Sequence, residues 1–218
     1  MRYEAVIFDM DGIIVDSEPV YLKWLKDFLA GKGIQVGFHE LSNLVGISQA
    51  AGVAFIKAKC GSEEKANVLW KEYLLECEEY PLNYNDILIP GVKALITALS
   101  ENGKKLGMAS SSSMEDIGEV LSETKLRSCF DVILSGEMFK ESKPNPEIYI
   151  RTAEKLHVPI GQCIVIEDSS YGILAGKRAG AYVIAREETR FEFDQSMSDL
   201  ILPDMNEIER VVKGLLEM

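Results

Sequence analysis

The sequence is poor in the residues that build zinc and other soft-metal sites. It has two histidines and four cysteines among 218 residues, and no cysteine belongs to a C-x-x-C pair. Zinc sites are usually built from such pairs together with histidines, so this composition argues against one. We expect the four cysteines to be free thiols in a reducing compartment. They are Cys60, Cys77, Cys129 and Cys163.

Positive charge is also scarce. Lysine and arginine number 23 against 35 aspartates and glutamates, which gives a net charge of −12. This balance argues against a nucleic-acid-binding surface, which is basic, and against an anionic membrane surface. A small anionic substrate stays possible, but it needs a local cation such as a metal ion or a positioned lysine.

Three other signals are missing. No apolar run approaches the roughly 18 residues of a membrane span, and the N-terminus has no basic segment followed by an apolar core. No G-x-G-x-x-G motif follows the first apolar run, which argues against a dinucleotide-binding dehydrogenase. We therefore expect a cytoplasmic monomer with no nucleic-acid or membrane partner.

Six short apolar runs alternate with helical patterns. Most of them are continuously apolar, which favours strands that are covered on both faces of a parallel sheet. This order predicts an α/β fold with a doubly wound, Rossmann-like parallel sheet. The predicted strands are residues 4–10, 104–111, 131–136, 163–168, 181–185 and 199–203.

Residues 17–86 break this alternation, because they contain helical patterns and no convincing strand. We interpret them as a small α-helical cap domain that is inserted into the catalytic core. The core domain then consists of residues 1–16 and 87–218.

Three acids follow the first predicted strand: Asp9, Asp11 and Asp16. Ligands of open parallel sheets bind beyond the carboxyl ends of the strands, and residues i and i+2 of a strand point to the same side. Asp9 and Asp11 would then share one small volume, where Mg²⁺ could balance their charge. One carboxylate could attack phosphorus while the other transfers protons. A plain Asx-turn at Asp11 and Gly12 is the structural alternative.

Further polar residues follow later strands. Ser110 and the amides after it could hold a phosphate, and Lys143 could neutralise a transferring phosphoryl group. Glu167 and Asp168 form an acidic pair after a buried strand, where they are costly unless they bind a cation. A helix-capping serine cluster and a solvated lysine are the structural alternatives.

Four segments of the chain resemble the motifs of the haloacid dehalogenase superfamily. They are "DMDGIIVDS", "ASSS", "KPNPEIY" and "IEDSSYGILAGKRAGA". The resemblance covers about residues 1–185 in order and spacing. It is greatest to the phosphatase and phosphomutase branch, which includes β-phosphoglucomutase and phosphoglycolate phosphatase. The dehalogenating members lack a residue matching Asp11, so phosphoryl transfer is implied.

The resemblance implies a role for each motif residue. Asp9 would be the nucleophile and a Mg²⁺ ligand, and Asp11 would be the general acid and base, with its carbonyl on the metal. Glu167 and Asp168 would complete the metal site, with Glu167 acting directly or through water. Asp16 would shape the junction with the cap. Ser110 and the Ser111 amide would bind the phosphoryl group, and Lys143 would bridge the nucleophile and the phosphate.

The cap differs from that of the β-phosphoglucomutases. Their cap histidine falls on Tyr21 and their phosphate-gripping cap arginine falls on Gln49. Glutamine carries no charge to pair with a phosphate, so we favour a phosphatase of sugar or polyol phosphates over a phosphomutase. A non-catalytic phospho-switch and an inactive homologue are further alternatives. The candidate specificity residues are Tyr21, Trp24, Gly46, Gln49 and Lys71.

Overall fold

A computed structural model describes residues 3–42, 44–45, 49–79 and 82–217. The chain forms two compact units. The first contains Met1–Asp16, Tyr84–Thr189 and Phe193–Met218, and the second contains Ser17–Asn83 and Arg190–Glu192. This grouping begins the second part of the core three residues earlier than we expected. It also assigns Arg190–Glu192 to the helical unit.

Within the described residues, the first unit holds a six-stranded sheet in the order β3-β2-β1-β4-β5-β6, and every neighbouring pair is parallel. This confirms the predicted fold class. Five of the predicted strands each contain one observed strand, and β5 ends at Arg186, one residue beyond its predicted range. The central strands are buried along their length because helices cover both faces. The strands are β1 (Ala5–Phe8), β2 (Lys105–Ser110), β3 (Val132–Ser135), β4 (Cys163–Glu167), β5 (Tyr182–Arg186) and β6 (Leu200–Leu202).

Helices connect these strands and build the second unit. Among the described residues, no helix is both long enough and apolar enough to cross a membrane. In chain order the α-helices are α1 (Glu18–Gly31), α2 (Phe38–Ser42), α3 (Gln49–Cys60), α4 (Glu63–Glu79), α5 (Val92–Glu101), α6 (Met114–Glu123), α7 (Glu147–Leu156), α8 (Ser170–Ala179) and α9 (Met205–Leu215).

The register of the sheet brings the ends of its central strands together. Phe8, the last residue of β1, pairs with Met108 of β2 and with Ile166 of β4. Ser110, the last residue of β2, pairs with Ser135 of β3. Polar residues that follow these strands therefore share one edge of the sheet, as the sequence predicts.

Helix α6 begins one residue later than the sequence suggested. Ser112 and Glu115 predict a capping box, but the N-cap is Ser113, whose hydroxyl accepts a hydrogen bond from the Asp116 amide. The hydroxyl of Ser112 instead donates to a carboxylate on another loop. A serine cluster offers several equivalent caps, and tertiary contacts decide which one is used.

The second unit is held together by apolar and aromatic contacts between its helices. Phe28 of α1 lies 5.8 Å from the ring of Tyr73 on α4, and Trp70 lies 5.5 Å from the same ring. The short helix α2 was not anticipated, because its five residues provide too little periodicity. No strand is assigned between residues 17 and 79 where the structure describes them. All four cysteines are free thiols.

Helix α7 packs closely on β2, and Gly107 makes this contact possible. A Cβ atom at Gly107 would lie 2.5 Å from Cγ2 of Thr152 and 3.2 Å from Cδ1 of Leu156. Thr152 is fully buried, so it has little room to move away. The missing side chain thus lets β2, which ends at Ser110, lie directly against the helix.

Gly107→Ala should therefore lower the free energy of unfolding by about 2 kcal/mol, because overpacking a buried contact forces neighbours apart. Gly118→Ala is the matched control, since Gly118 is exposed on α6 with nothing within 4 Å of its added Cβ. It should raise stability by roughly 0.5–1 kcal/mol through helix propensity. Urea unfolding of wild type and both variants measures the free energies of unfolding. A Gly107→Ala variant as stable as wild type would contradict the packing argument.

Candidate active site

A tight turn after β1 positions the first acids. The amide of Asp9 donates to the Ile166 carbonyl at 3.0 Å, which continues the pairing of β1 with β4 for one residue. The chain then turns through Gly12, whose φ of +79° is in the left-handed region. A Cβ atom there would lie 1.9 Å from Oδ2 of Asp168. Gly12 is therefore required both by its backbone conformation and by the close approach of Asp168.

Three buried carboxylates meet at this edge of the sheet. Carboxylate oxygens of Asp9, Glu167 and Asp168, one from each residue, lie within 4.8 Å of one another. Asp9 follows β1, whereas the other two come from the end of β4 and the residue after it. The sequence predicted that these side chains would lie close together. They form a compact set of hard oxygen donors, which is the donor type that Mg²⁺ prefers.

Lys143 lies between two of these carboxylates. Its Nζ is 2.7 Å from Oδ1 of Asp9 and 2.7 Å from Oε1 of Glu167, and its side chain is only 6% exposed. One ammonium group thus faces three carboxylates, so the fully ionised cluster has a surplus of two negative charges. A buried surplus of this kind favours either protonation or a bound cation.

The pKa values of the cluster follow from this imbalance. Burial, reinforced by the Glu167 carboxylate, raises the pKa of Asp9 to about 8. Burial and the charges of Glu167 and Asp9 also raise the pKa of Asp168 well above its ordinary value. Burial alone would lower the pKa of Lys143, but the Asp9 and Glu167 carboxylates raise it well above its usual range. A divalent cation would offset the surplus charge, so the residues present fit Mg²⁺.

The side chain of Asp11 contacts the loop that follows β2, and its charge also helps to raise the pKa of Asp9. Its carboxylate accepts a hydrogen bond of 2.7 Å from the Ser112 hydroxyl. Asp11 was predicted to contact the metal through its backbone carbonyl, and that role stays a prediction. The sequence did not reveal Ser112 as its partner, because the two residues are 101 positions apart.

Hydrogen bonds fix the serine loop after β2. The buried Ser110 hydroxyl accepts from the Ser112 amide at 3.0 Å, and the Ser135 hydroxyl donates to the Ser112 carbonyl at 2.7 Å. Ser111 is exposed, and Gly136 leaves room for its backbone, since a Cβ at Gly136 would lie 3.1 Å from Cα of Ser111. The loop thus presents Ser111 outward from a fixed backbone.

A buried polar network supports the site from β5, and the sequence analysis missed it. Nε of Arg186 donates to the Gly12 carbonyl at 2.6 Å, and its Nη2 donates to Glu188 at 3.3 Å. Nε2 of Gln195 donates to the carbonyls of Asp168 and Arg186 at 2.5 and 2.8 Å. An arginine at the end of an apolar run was the available signal for Arg186, whereas Gln195 lies in an irregular segment without a motif.

The candidate specificity residues belong to the second unit. Tyr21 lies edge-on to Trp24 with ring centroids 5.8 Å apart, and the Tyr21 carbonyl accepts from the Tyr73 hydroxyl at 3.1 Å. Lys71 is exposed on α4. Gln49 begins α3, but its side chain and Gly46 lie outside the described residues. Their proposed contacts with substrate stay predictions.

Comparison with known proteins identifies the family. The family model described as haloacid dehalogenase-like hydrolase matches residues 6–186. The chain belongs to the haloacid dehalogenase-like hydrolase family. The matched residues include most of the sheet and all three acids of the buried cluster, Asp9, Glu167 and Asp168.

Relatives of this hydrolase include named phosphatases. Hexitol phosphatase B of Escherichia coli (strain K12) is 29% identical over 94% of this chain and 93% of its own length. A phosphorylated carbohydrates phosphatase of Thermotoga maritima is 30% identical over 81% of this chain and 82% of its own. Among solved structures, a β-phosphoglucomutase from Clostridium difficile has a TM-score of 0.75 and 27% identity, covering 99% and 97% of the two chains.

The raised pKa of Asp9 predicts how stability depends on pH in the metal-free protein. Between about pH 4, near the pKa of an unfolded aspartate, and about pH 8, the folded state holds a proton that the unfolded chain releases. This contribution to stability is therefore lost as the pH rises through that window. Asp9→Asn should remove it, so in EDTA at pH 8 the variant should unfold at a higher temperature than wild type.

Thermal unfolding of both proteins at pH 6 and pH 8, with EDTA and with Mg²⁺, measures this effect. Mg²⁺ should stabilise wild type more at pH 8 than at pH 6 and should stabilise Asp9→Asn less at both values. An Asp9→Asn variant that is less stable than wild type in EDTA at pH 8 would show that the ionised Asp9 carboxylate does not destabilise the metal-free protein.

Proposed function

We propose that this hydrolase is a Mg²⁺-dependent phosphatase of a small phosphate monoester, with a sugar or polyol phosphate as substrate. The observation that carries the proposal is the buried Asp9 carboxylate, held 2.7 Å from Lys143 beside Glu167 and Asp168. The names of the hexitol and carbohydrate phosphatases support the substrate class. We further propose that it acts as a cytoplasmic monomer without nucleic-acid or membrane partners.

In the first step, a carboxylate oxygen of Asp9 attacks the phosphorus of the substrate. The bond between phosphorus and the ester oxygen breaks, and its electron pair goes to the departing alcohol. Asp11 donates a proton to that oxygen, which yields the free alcohol and a phosphorylated Asp9. The Asp11 carboxyl would leave its hydrogen bond with Ser112 to do so.

In the second step, the ionised Asp11 takes a proton from water as the water oxygen attacks phosphorus. The bond between phosphorus and Asp9 breaks, which releases inorganic phosphate and restores both acids. Lys143, the Ser110 hydroxyl and the Ser111 amide would hold the phosphoryl oxygens through both steps. Their positions along one sheet edge support this assignment.

Mg²⁺ would be held by the carboxylates of Asp9 and Asp168 and the carbonyl of Asp11, with Glu167 acting through water. When bound, the ion supplies positive charge that offsets the buried carboxylates and the charge of the phosphoryl group. Arg186 and Gln195 would keep Gly12 and the Asp168 backbone in place around it.

Release of inorganic phosphate from a panel of hexitol, sugar and two-carbon phosphates tests the proposal. Wild type should release phosphate with Mg²⁺ and not with EDTA, and Asp9→Asn should retain less than about 1% of the rate. Radioactive or mass-detected phosphate on the chain, absent in Asp9→Asn, would report the covalent intermediate. Mg²⁺-independent release, or full activity of Asp9→Asn, would contradict the mechanism.

A phosphomutase is the second candidate, favoured by the similarity to β-phosphoglucomutase structures. The same panel should include β-glucose 1-phosphate with and without a bisphosphate activator. We expect hydrolysis to exceed isomerisation, because Tyr21 and Gln49 stand where a mutase would need a histidine and an arginine. Conversion to glucose 6-phosphate without phosphate release would establish the mutase instead.

Lys143→Ala should lower kcat by about 10²–10³-fold, which is typical of removing one preorganised electrostatic contact. Lys140→Ala is the matched control, because Lys140 is an exposed lysine three residues earlier on the same loop. It should leave kcat within about twofold of wild type. Steady-state rates of both variants and wild type at saturating Mg²⁺ test this prediction. A Lys143→Ala variant with a near wild-type kcat would show that Lys143 has no role in the mechanism.

A further inference from the structure

Tyr149 lies beneath the proposed catalytic cluster. It is the third residue of α7, in the first turn, and has no exposed surface. Its hydroxyl donates to Oε1 of Glu167 at 2.7 Å, and the centre of its ring lies 5.0 Å from Nζ of Lys143. One buried side chain therefore contacts both the carboxylate and the ammonium that face Asp9.

The hydrogen bonds to Glu167 define what this carboxylate can do. Oε1 accepts from Lys143 and from Tyr149, each at 2.7 Å. Oε2 accepts from the amides of Asp168 and Ser169 and from the Ser169 hydroxyl, at 3.0–3.2 Å. Since a carboxylate offers about four lone-pair sites, these five donors fix both oxygens and leave little room for a direct bond to a cation. Glu167 is thus a fixed counter-ion for Lys143.

The geometry around Lys143 is correspondingly restricted. Its ammonium group has three N–H donors, of which one is directed to Asp9 and one to Glu167. The third is the donor that we assign to the phosphoryl oxygen. The ring of Tyr149 lies close to the ammonium on the side of α7, and the Tyr149 hydroxyl takes the second acceptor site of Glu167 Oε1. Both contacts limit how far Lys143 can turn away from Asp9.

We propose that Tyr149 is a positioning residue that acts through Glu167 to hold the Lys143 ammonium against Asp9. The inference rests on the proposed phosphatase function. Phenylalanine would fill the same volume and keep the ring beside Lys143, so the hydroxyl is the group that carries this role. Its loss would leave one acceptor site of Glu167 Oε1 open to a second N–H of Lys143, at the expense of the phosphoryl contact.

Tyr149→Phe tests this, with Thr152→Val as the matched control. Thr152 lies on the same helix, is fully buried, and also donates its hydroxyl at 2.7 Å, but to the Ile148 carbonyl away from the cluster. Both variants lose one buried hydroxyl without losing volume. Their unfolding temperatures should fall by similar amounts, and all rates are measured well below the lower of the two.

At saturating Mg²⁺ we expect Tyr149→Phe to have about tenfold lower kcat, with KM within about twofold of wild type. The inhibition constant of orthovanadate, which takes the five-coordinate geometry of a transferring phosphoryl group, should rise about tenfold. Calorimetric titration with Mg²⁺ alone should give an affinity within about twofold of wild type. Thr152→Val should leave kcat, vanadate inhibition and Mg²⁺ affinity unchanged.

Two outcomes would overturn the inference while the proposed function stands. An unchanged kcat in Tyr149→Phe, with only a lower unfolding temperature, would make the hydroxyl purely structural. A kcat that returns to the wild-type value at high Mg²⁺ would mean that Tyr149 acts on the cation site rather than through Lys143. A wild-type protein that releases no phosphate from any substrate would instead overturn the proposed function, and the inference with it.

Discussion

The buried charge imbalance around Lys143 is the constraint on which the rest of the site depends. Three carboxylates face one ammonium group, and burial prevents water from screening them. An ordinary core would not retain such a cluster, because each unpaired buried charge costs several kcal/mol. The cluster is therefore stable as a whole only with a proton or a cation.

The fold meets this constraint by using the ends of parallel strands. Asp9, Ser110 and Glu167 end or follow three neighbouring strands, so the register of the sheet fixes their separation without any contact between the side chains themselves. Backbone groups then complete the arrangement. Gly12 allows Asp168 to approach the turn after β1, and Arg186 holds the carbonyl of Gly12 from β5. The reactive groups are thus placed by rigid elements, which is how an electrostatic site stays preorganised.

The sequence predicted the sheet, its parallel order and the meeting of the acids, because continuous apolar runs and the residues after them are local features. Apart from Lys143, which the family resemblance placed beside Asp9, it did not predict which donors satisfy those acids. Ser112 has the sequence context of a helix cap, yet its hydroxyl donates to Asp11, which lies 101 positions earlier in the chain. Tyr149 ends the segment "KPNPEIY", but its sequence context assigns it no role, and Gln195 lies in a segment without periodicity. Partners of this kind depend on distances between elements far apart in sequence, which neither composition nor spacing encodes.

Glu167 and Asp168 illustrate how adjacent residues of the same chemistry receive different roles from their surroundings. Burial alone would raise the pKa of Glu167, but Lys143 and its hydrogen-bond donors lower that pKa below its ordinary value. The pKa of Asp168 is instead raised well above its ordinary value by burial and by the neighbouring carboxylates. The surroundings of Glu167 therefore favour its ionised form, whereas the ionised form of Asp168 would need a nearby cation. Because the direct demand for a metal falls on Asp9 and Asp168, Glu167 is left to orient Lys143, and the hydroxyl of Tyr149 becomes part of the machinery that aligns the phosphoryl group.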